Sequence, residues 1–170
     1  LVNSYSDGTI IVNHGGTEMG QGLFTKVQQV VAEELGVVPA RVRVSATDTS
    51  KVPNTSATAA SSGSDLNGMA AKDACRKLRA RLAEFVAQKW GVDSGAVRFV
   101  ADGVEADTAD GLQRWTFDDL AHKAWFGRVS LSAQGFYRTP KIHWNVKTFK
   151  GRPFYYFAYG AACAQVAIDT

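Results

Sequence analysis

Cysteine is scarce in this chain. Cys75 and Cys163 are its only two, far apart and in no Cys-x-x-Cys pair or Cys/His cluster. That spacing argues against an all-protein zinc site, and both thiols read as reduced and buried. A dominant charge is missing too. The 19 Lys and Arg stand against 16 Asp and Glu, for a formal net charge of +3, with no run of five or more like charges. Nucleic acid is therefore not an expected partner. No apolar stretch approaches the roughly 18–20 residues that cross a bilayer. An initiator Met and a basic-then-apolar leader are lacking, so the chain reads as an internal piece of a longer polypeptide, expected in the cytoplasm. No Gly-Lys-Ser/Thr follows a glycine loop, no dinucleotide Gly-x-Gly-x-x-Gly occurs, and no Gly-x-Ser-x-Gly elbow supports a Ser-His-Asp reading. There is no internal repeat.

What is present is a globular composition, 45% hydrophobic over 170 residues. Residues 2–5 and 9–13 read as strands joined at Ser6-Asp7-Gly8, since Asp-Gly favours a hairpin. Leu23, Val27, Val30, Val31 and Leu35 keep a helical period that Gly36 stops. Val42 and Val44 alternate with polar residues, as in a half-buried strand. A polar loop runs from Asp48 to Gly63. Leu66, Ala70, Ala74, Leu78, Leu82 and Phe85 then mark a long helix ending near Trp90-Gly91. The order β-β-α-β-α predicts an α+β fold of two-layer α/β sandwich units with mixed sheets.

Further on, Val97–Val100 is expected to pair with the segment from Val104 through a turn at Asp102-Gly103. Thr116-Phe117-Asp118-Asp119 resembles a capping box opening a helix through Trp125. Strands are expected at 129–136 and 154–168, with a loop or crossover at 139–153. The expected organisation is a subdomain over 1–128, with 129–170 leading into a further one. The aromatic-basic stretch from Lys141 to Tyr156 would suit stacking on a single strand. With Tyr159, Val166 and Ile168 it equally suits a packed strand, the reading the small net charge favours.

Two loops rich in small residues each open a helix. The first is Gly15-Gly16-Thr17-Glu18-Met19-Gly20-Gln21-Gly22; the second runs from Pro53 to Asp65 and has no bulky side chain between Thr55 and Ser64. Helix N-termini present unpaired N–H groups and a positive dipole end, so two of them could converge on a large anionic ligand. A plain strand-to-helix turn and a flexible surface loop are the alternatives. Gln21 offers an amide suited to an oxo or pterin group. Glu18 reads as a structural hydrogen-bonding group, Asp65 as a helix cap, and His14 as structural; His122 and His143 have no partner at catalytic spacing.

The same residues carry a resemblance. The first loop, Pro53-Asn54-Thr55-Ser56-Ala57-Thr58-Ala59-Ala60-Ser61, Gly135-Phe136-Tyr137-Arg138-Thr139-Pro140 and Tyr159-Gly160-Ala161-Ala162-Cys163 occur in family order. They resemble the molybdopterin-binding large subunit of xanthine dehydrogenases, within the xanthine oxidase/aldehyde oxidase family of molybdenum hydroxylases. The resemblance implies hydroxylation of a purine such as hypoxanthine or xanthine, with oxygen from water and electrons passing through [2Fe–2S] clusters and FAD to NAD. It implies Met19, Gly20, Gln21 and Gly22 against the pterin and metal, and Ala60, Ser61, Ser62, Gly63 and Ser64 bonding the pterin and its phosphate. Ala59 and Ala60 would floor the substrate pocket. It also implies Fe–S and FAD domains or subunits as partners, in an oligomeric parent.

The family's Gly-Glu-Pro-Pro motif, which holds its catalytic glutamate, does not occur here. No catalytic residue is therefore expected within these 170 residues, and the chain alone is expected to be inactive. The resemblance also implies metal ligation by pterin sulfurs and terminal oxygen or sulfur, so no protein metal ligand is expected. The alternatives are another molybdenum hydroxylase, acting on an aldehyde or a different N-heterocycle, and a non-enzymatic interaction module.

Overall fold

The computed structural model describes residues 1–52, 55–157 and 160–169. They form two units, Leu1–Arg138 and Thr139–Thr170.

In the first unit, β1 (Val2–Ser4) and β2 (Ile10–Val12) make the expected hairpin. Asp7 accepts from the Thr9 N–H at 2.9 Å and Gly8 takes φ +80, which closes the turn. From β2 the chain runs through α1 (Leu23–Leu35) and a 3₁₀ turn (Pro39–Arg41) to β3 (Val42–Val44), which lies parallel to β2. Gly36 ends α1 at φ 70, and Val37 N–H returns to Ala32 O at 2.9 Å. The 28-residue α2 (Gly63–Trp90) follows, about 42 Å long at 1.5 Å per residue. Gly68, Ala71 and Ala74 are buried along it, and a Cβ at Gly68 would already lie 3.7 Å from Val30, which shows how close α1 comes.

β4 (Arg98–Val100), β5 (Gly103–Thr108) and β6 (Gly111–Thr116) form an antiparallel sheet, followed by α3 (Phe117–Phe126) and β7 (Ser132–Ala133). Thr116 caps α3, its Oγ accepting from Asp119 N–H at 3.3 Å. β7 pairs with β1, so the larger sheet has the order β3-β2-β1-β7 and the first unit extends beyond residue 128. Val2, Ile10, Val12 and Val42 of that sheet are fully buried with Leu23, Val27, Val31 and Leu35 of α1 and Leu78 and Leu82 of α2. Helices packed on mixed sheets match the expected α+β class.

Arg41 joins the two sheets. Its Nε and Nη2 donate to the two carboxylate oxygens of Asp102 at 2.6 and 2.7 Å, and Nη2 also reaches Asp118 at 3.1 Å. Asp102 sits in the β4–β5 turn, and its N–H bonds Gly36 O at 2.7 Å. A lysine cannot reproduce this fork. Arg41→Lys is expected to cost about 1–2 kcal/mol, read as a lower urea midpoint at unchanged slope.

The second unit corrects the sequence reading. The segment expected as a loop, 139–153, contains the hairpin β8 (His143–Asn145) and β9 (Lys150–Arg152). The strand expected at 154–168 is not formed among the described residues. Alternating apolar residues need a partner edge to become a ladder, and here Val166 and Ile168 are each 81% exposed. The burial expected for Cys163 also fails, since it is exposed. Cys75 is buried on α2, where desolvation pushes its thiol up to about 12. No helix of the described residues is long and apolar enough to cross a membrane.

Candidate functional site

The first loop connects β2 to α1, and several of its N–H groups are satisfied by its own side chains. Glu18 Oε1 accepts from Gly20 N–H at 2.8 Å and Gly22 N–H at 3.0 Å, while Oε2 accepts from Phe24 N–H at 3.0 Å. These bonds, led by that from Phe24, hold the Glu18 carboxyl below its usual range. The Gln21 amide closes the same loop, donating to Thr17 O at 2.8 Å and accepting from Met19 N–H at 2.6 Å. The expectation that both helix N-termini lie open to an anionic ligand is therefore corrected for α1. Its end is filled by the chain's own carboxylate.

The end of α2 differs. No side chain caps it among the described residues, and Ser62 Oγ donates instead to Ala59 O at 2.9 Å. The capping role expected for Asp65 is also corrected. Asp65 lies in the first turn with Oδ2 buried and without a hydrogen-bond partner, and desolvation raises its pKa. A cap accepts from N–H groups two or three residues ahead of it, and Asp65 is already inside the helix. Ala60 and Ser61 both take left-handed φ, at 54 and 55, in the tight bend before α2.

Several contacts tie the loops together. Thr17 N–H donates to Thr58 Oγ1 at 2.8 Å, and Gly15 packs against the Thr55 side chain so closely that a Cβ would collide with it. Thr47 Oγ1 donates to Gly16 O at 2.6 Å. Between them lies a cavity of about 640 Å³, within the range of ligand sites. Hydroxyls of Thr55, Ser56, Thr58 and Ser62, amides of Asn67 and Gln134, His14 and the backbone of Gly15, Gly16 and Gly63 form its polar wall. Val12, Leu66 and Phe136 are among its apolar side. Among the described residues Lys51 is the one charged side chain that lines it, and no carboxylate does.

Of the residues singled out in the sequence, Ser62 and Gly63 line this cavity. Met19, Gly20 and Gln21 are exposed and Gly22 half-buried on the first loop, while Ala59, Ala60, Ser61 and Ser64 are exposed around the bend before α2; none of these lines it. Pro53 and Asn54, part of the second loop, and Tyr159 lie outside the described residues. Asn67, Gln134 and the cavity-facing role of His14 were not apparent in the sequence. The one available signal was the spacing of Asn67 four residues after Gly63, one helical turn, and its Nδ2 does donate to Gly63 O at 2.9 Å.

The family of molybdopterin cofactor-binding domains matches this chain over residues 1–170. The chain belongs to that family. It is 46% identical over 171 aligned residues to the xanthine dehydrogenase of Blastobotrys adeninivorans and 44% over 170 to that of Emericella nidulans. It is 41% identical over 169 to the xanthine dehydrogenase/oxidase of Gallus gallus. These alignments cover 99–100% of this chain and 11% of each relative, so the chain spans about a tenth of their length. Among solved structures, CO dehydrogenase from Oligotropha carboxidovorans superposes with a TM-score of 0.70 at 21% identity, covering 82% of this chain and 18% of that one. Quinoline 2-oxidoreductase from Pseudomonas putida 86 gives 0.68 at 23%, covering 80% and 18%. Both share the fold. The cavity's donor set fits a pterin cofactor bearing a phosphate: neutral donors and acceptors for the ring edges, one lysine, and no carboxylate to repel the anion.

Proposed function

We propose that this chain is part of the molybdopterin-holding subunit of a xanthine dehydrogenase, which hydroxylates hypoxanthine and xanthine to urate in a cytoplasmic, oligomeric enzyme. The observation that carries this reading is 41–46% identity along 99–100% of the chain to xanthine dehydrogenases. When bound, molybdopterin supplies a molybdenum centre able to accept two electrons from a ring carbon beside nitrogen, with oxygen drawn from water. Met19, Gly20, Gln21 and Gly22 would lie against the pterin and metal, with the Gln21 amide presenting a polar edge. Ala60, Ser61, Ser62, Gly63 and Ser64 would hold the pterin and phosphate through the serine hydroxyls, the backbone of the bend before α2 and the uncapped N–H groups at its start. Ala59 and Ala60 would leave room for a planar purine. Fe–S and FAD domains or subunits of the parent would carry electrons to NAD, and the reaction's acid–base groups would come from elsewhere in it.

The test is molybdenum and pterin per subunit of the full-length enzyme from its own host, with turnover of xanthine compared to benzaldehyde. Near one of each and faster turnover of xanthine are expected, with no turnover by the 170-residue chain alone. Faster benzaldehyde oxidation would assign a different molybdenum hydroxylase. Mature enzyme lacking pterin would leave a non-enzymatic module.

A further inference from the structure

His14 follows β2 and is 9% exposed, its ring set edge-on to Phe24 with centroids 5.3 Å apart. Nδ1 accepts from the Gly16 N–H at 3.0 Å. A ring nitrogen that accepts carries no proton, so the neutral imidazole is the Nε2–H tautomer. Burial lowers the ring's pKa, opposed in part by a hydrogen bond with the Asn67 side chain. On the flanking peptides, Thr47 Oγ1 donates to Gly16 O at 2.6 Å and to His14 O at 3.2 Å. Gly16 is thus held at both its N–H and its carbonyl. It has no slack, since a Cβ there would meet Leu23 at 2.5 Å and Asn67 Nδ2 at 2.7 Å. Gly15 and Gly16 line the cavity.

We propose that His14 is a positioning residue for the cofactor: its Nδ1, together with the Thr47 hydroxyl, fixes the Gly15–Gly16 wall of the cavity against the second loop. This rests on the molybdopterin reading above. The wall is backbone, so its placement depends on bonds to the peptides themselves as well as on the Leu23, Thr55 and Asn67 side chains packed against it. Neither His14 nor Thr47 needs to touch the cofactor for their loss to reshape its seat.

The test uses the full-length enzyme with His14→Asn, His14→Gln and His14→Ala. Asparagine can place an amide oxygen where Nδ1 lies; glutamine reaches instead toward Nε2, and alanine offers neither. Pterin content and the rate of pterin release after dilution are measured beside the thermal unfolding midpoint. His14→Asn is expected to release pterin at nearly the wild-type rate, and His14→Gln and His14→Ala roughly tenfold faster. Thr47→Val, which keeps the ring, is expected to speed release as well and serves if the alanine variant does not fold. Release from His14→Asn as fast as from a folded His14→Ala would overturn the proposal, as would wild-type release from Thr47→Val. Wild-type enzyme without pterin would instead overturn the parent reading, and this inference with it.

Discussion

Gly135→Ala is expected to cost upwards of about 3 kcal/mol and to open the cavity. A Cβ at this position would be driven into the backbone of α2, colliding with Ala70 O and lying 2.6 Å from Ala74 N. Helix backbone cannot yield as a side-chain tip can, and α2 is backed by α1, with Gly68 close to Val30. The 134–137 segment would have to withdraw. That would break the bonds from Lys77 Nζ to Gln134 O and from Phe136 N–H to Asp73 Oδ2, both 3.0 Å. It would also carry Gln134, Phe136 and Tyr137 out of the cavity wall. Urea unfolding checks the stability and pterin content of the full-length enzyme checks the site. Gly91→Ala is the control: it has open space and only a left-handed φ of 69 to strain, so about 1 kcal/mol is expected. Equal costs at the two positions would refute the close approach at Gly135.

Glu18→Gln is expected to reduce cofactor retention by roughly tenfold, and Glu18→Ala by more. The carboxylate gathers three N–H groups, those of Gly20, Gly22 and Phe24. An amide keeps one acceptor oxygen but turns an N–H against Phe24 or Gly20, so the 18–22 turn can no longer close around it. The pH dependence has a definite sign. The three N–H bonds hold the folded-state pKa of Glu18 below the ordinary glutamate value, so its contribution to stability is fully present above that ordinary value and is lost as pH falls through the lowered one. Glu18→Gln should unfold less steeply in acid than the parent chain. Cofactor retention equal to wild type would show that the first loop holds its shape without the carboxylate.

Helices were legible wherever a local rule was enough. Leu23 through Leu35 repeat at helical spacing, and Gly36 and Gly91 supply the left-handed stops. Strands were less so, because a strand is made by its partner. The 111–116 segment pairs with β5 although Gly111, Gln113 and Arg114 conceal its alternation, while the aromatic run after Phe154 has strand composition and no ladder among the described residues. At the site, Glu18 was legible because its bonds are local. His14, Asn67 and Gln134 are separated by up to 120 residues, and only tertiary packing brings them to one cavity. Asp65 misled because an acid near a helix start resembles a cap unless its position within the first turn is known.

The pairing of β7 with β1 has a consequence for how the chain acquires its structure. Ala133 aligns with Val2 and Ser132 with Asn3, and Ser132 Oγ donates to Asn3 Oδ1 at 2.6 Å. The first strand thus waits for one of its two neighbours until some 130 residues later in synthesis. So large a sequence separation slows folding, since loop-closure entropy is lost before the contact repays it. A nascent chain halted before residue 132 would expose the edge of β1, an open template for pairing with another chain. In this unit the cavity wall formed by Gln134 to Tyr137 is assembled in the same late step that closes the sheet.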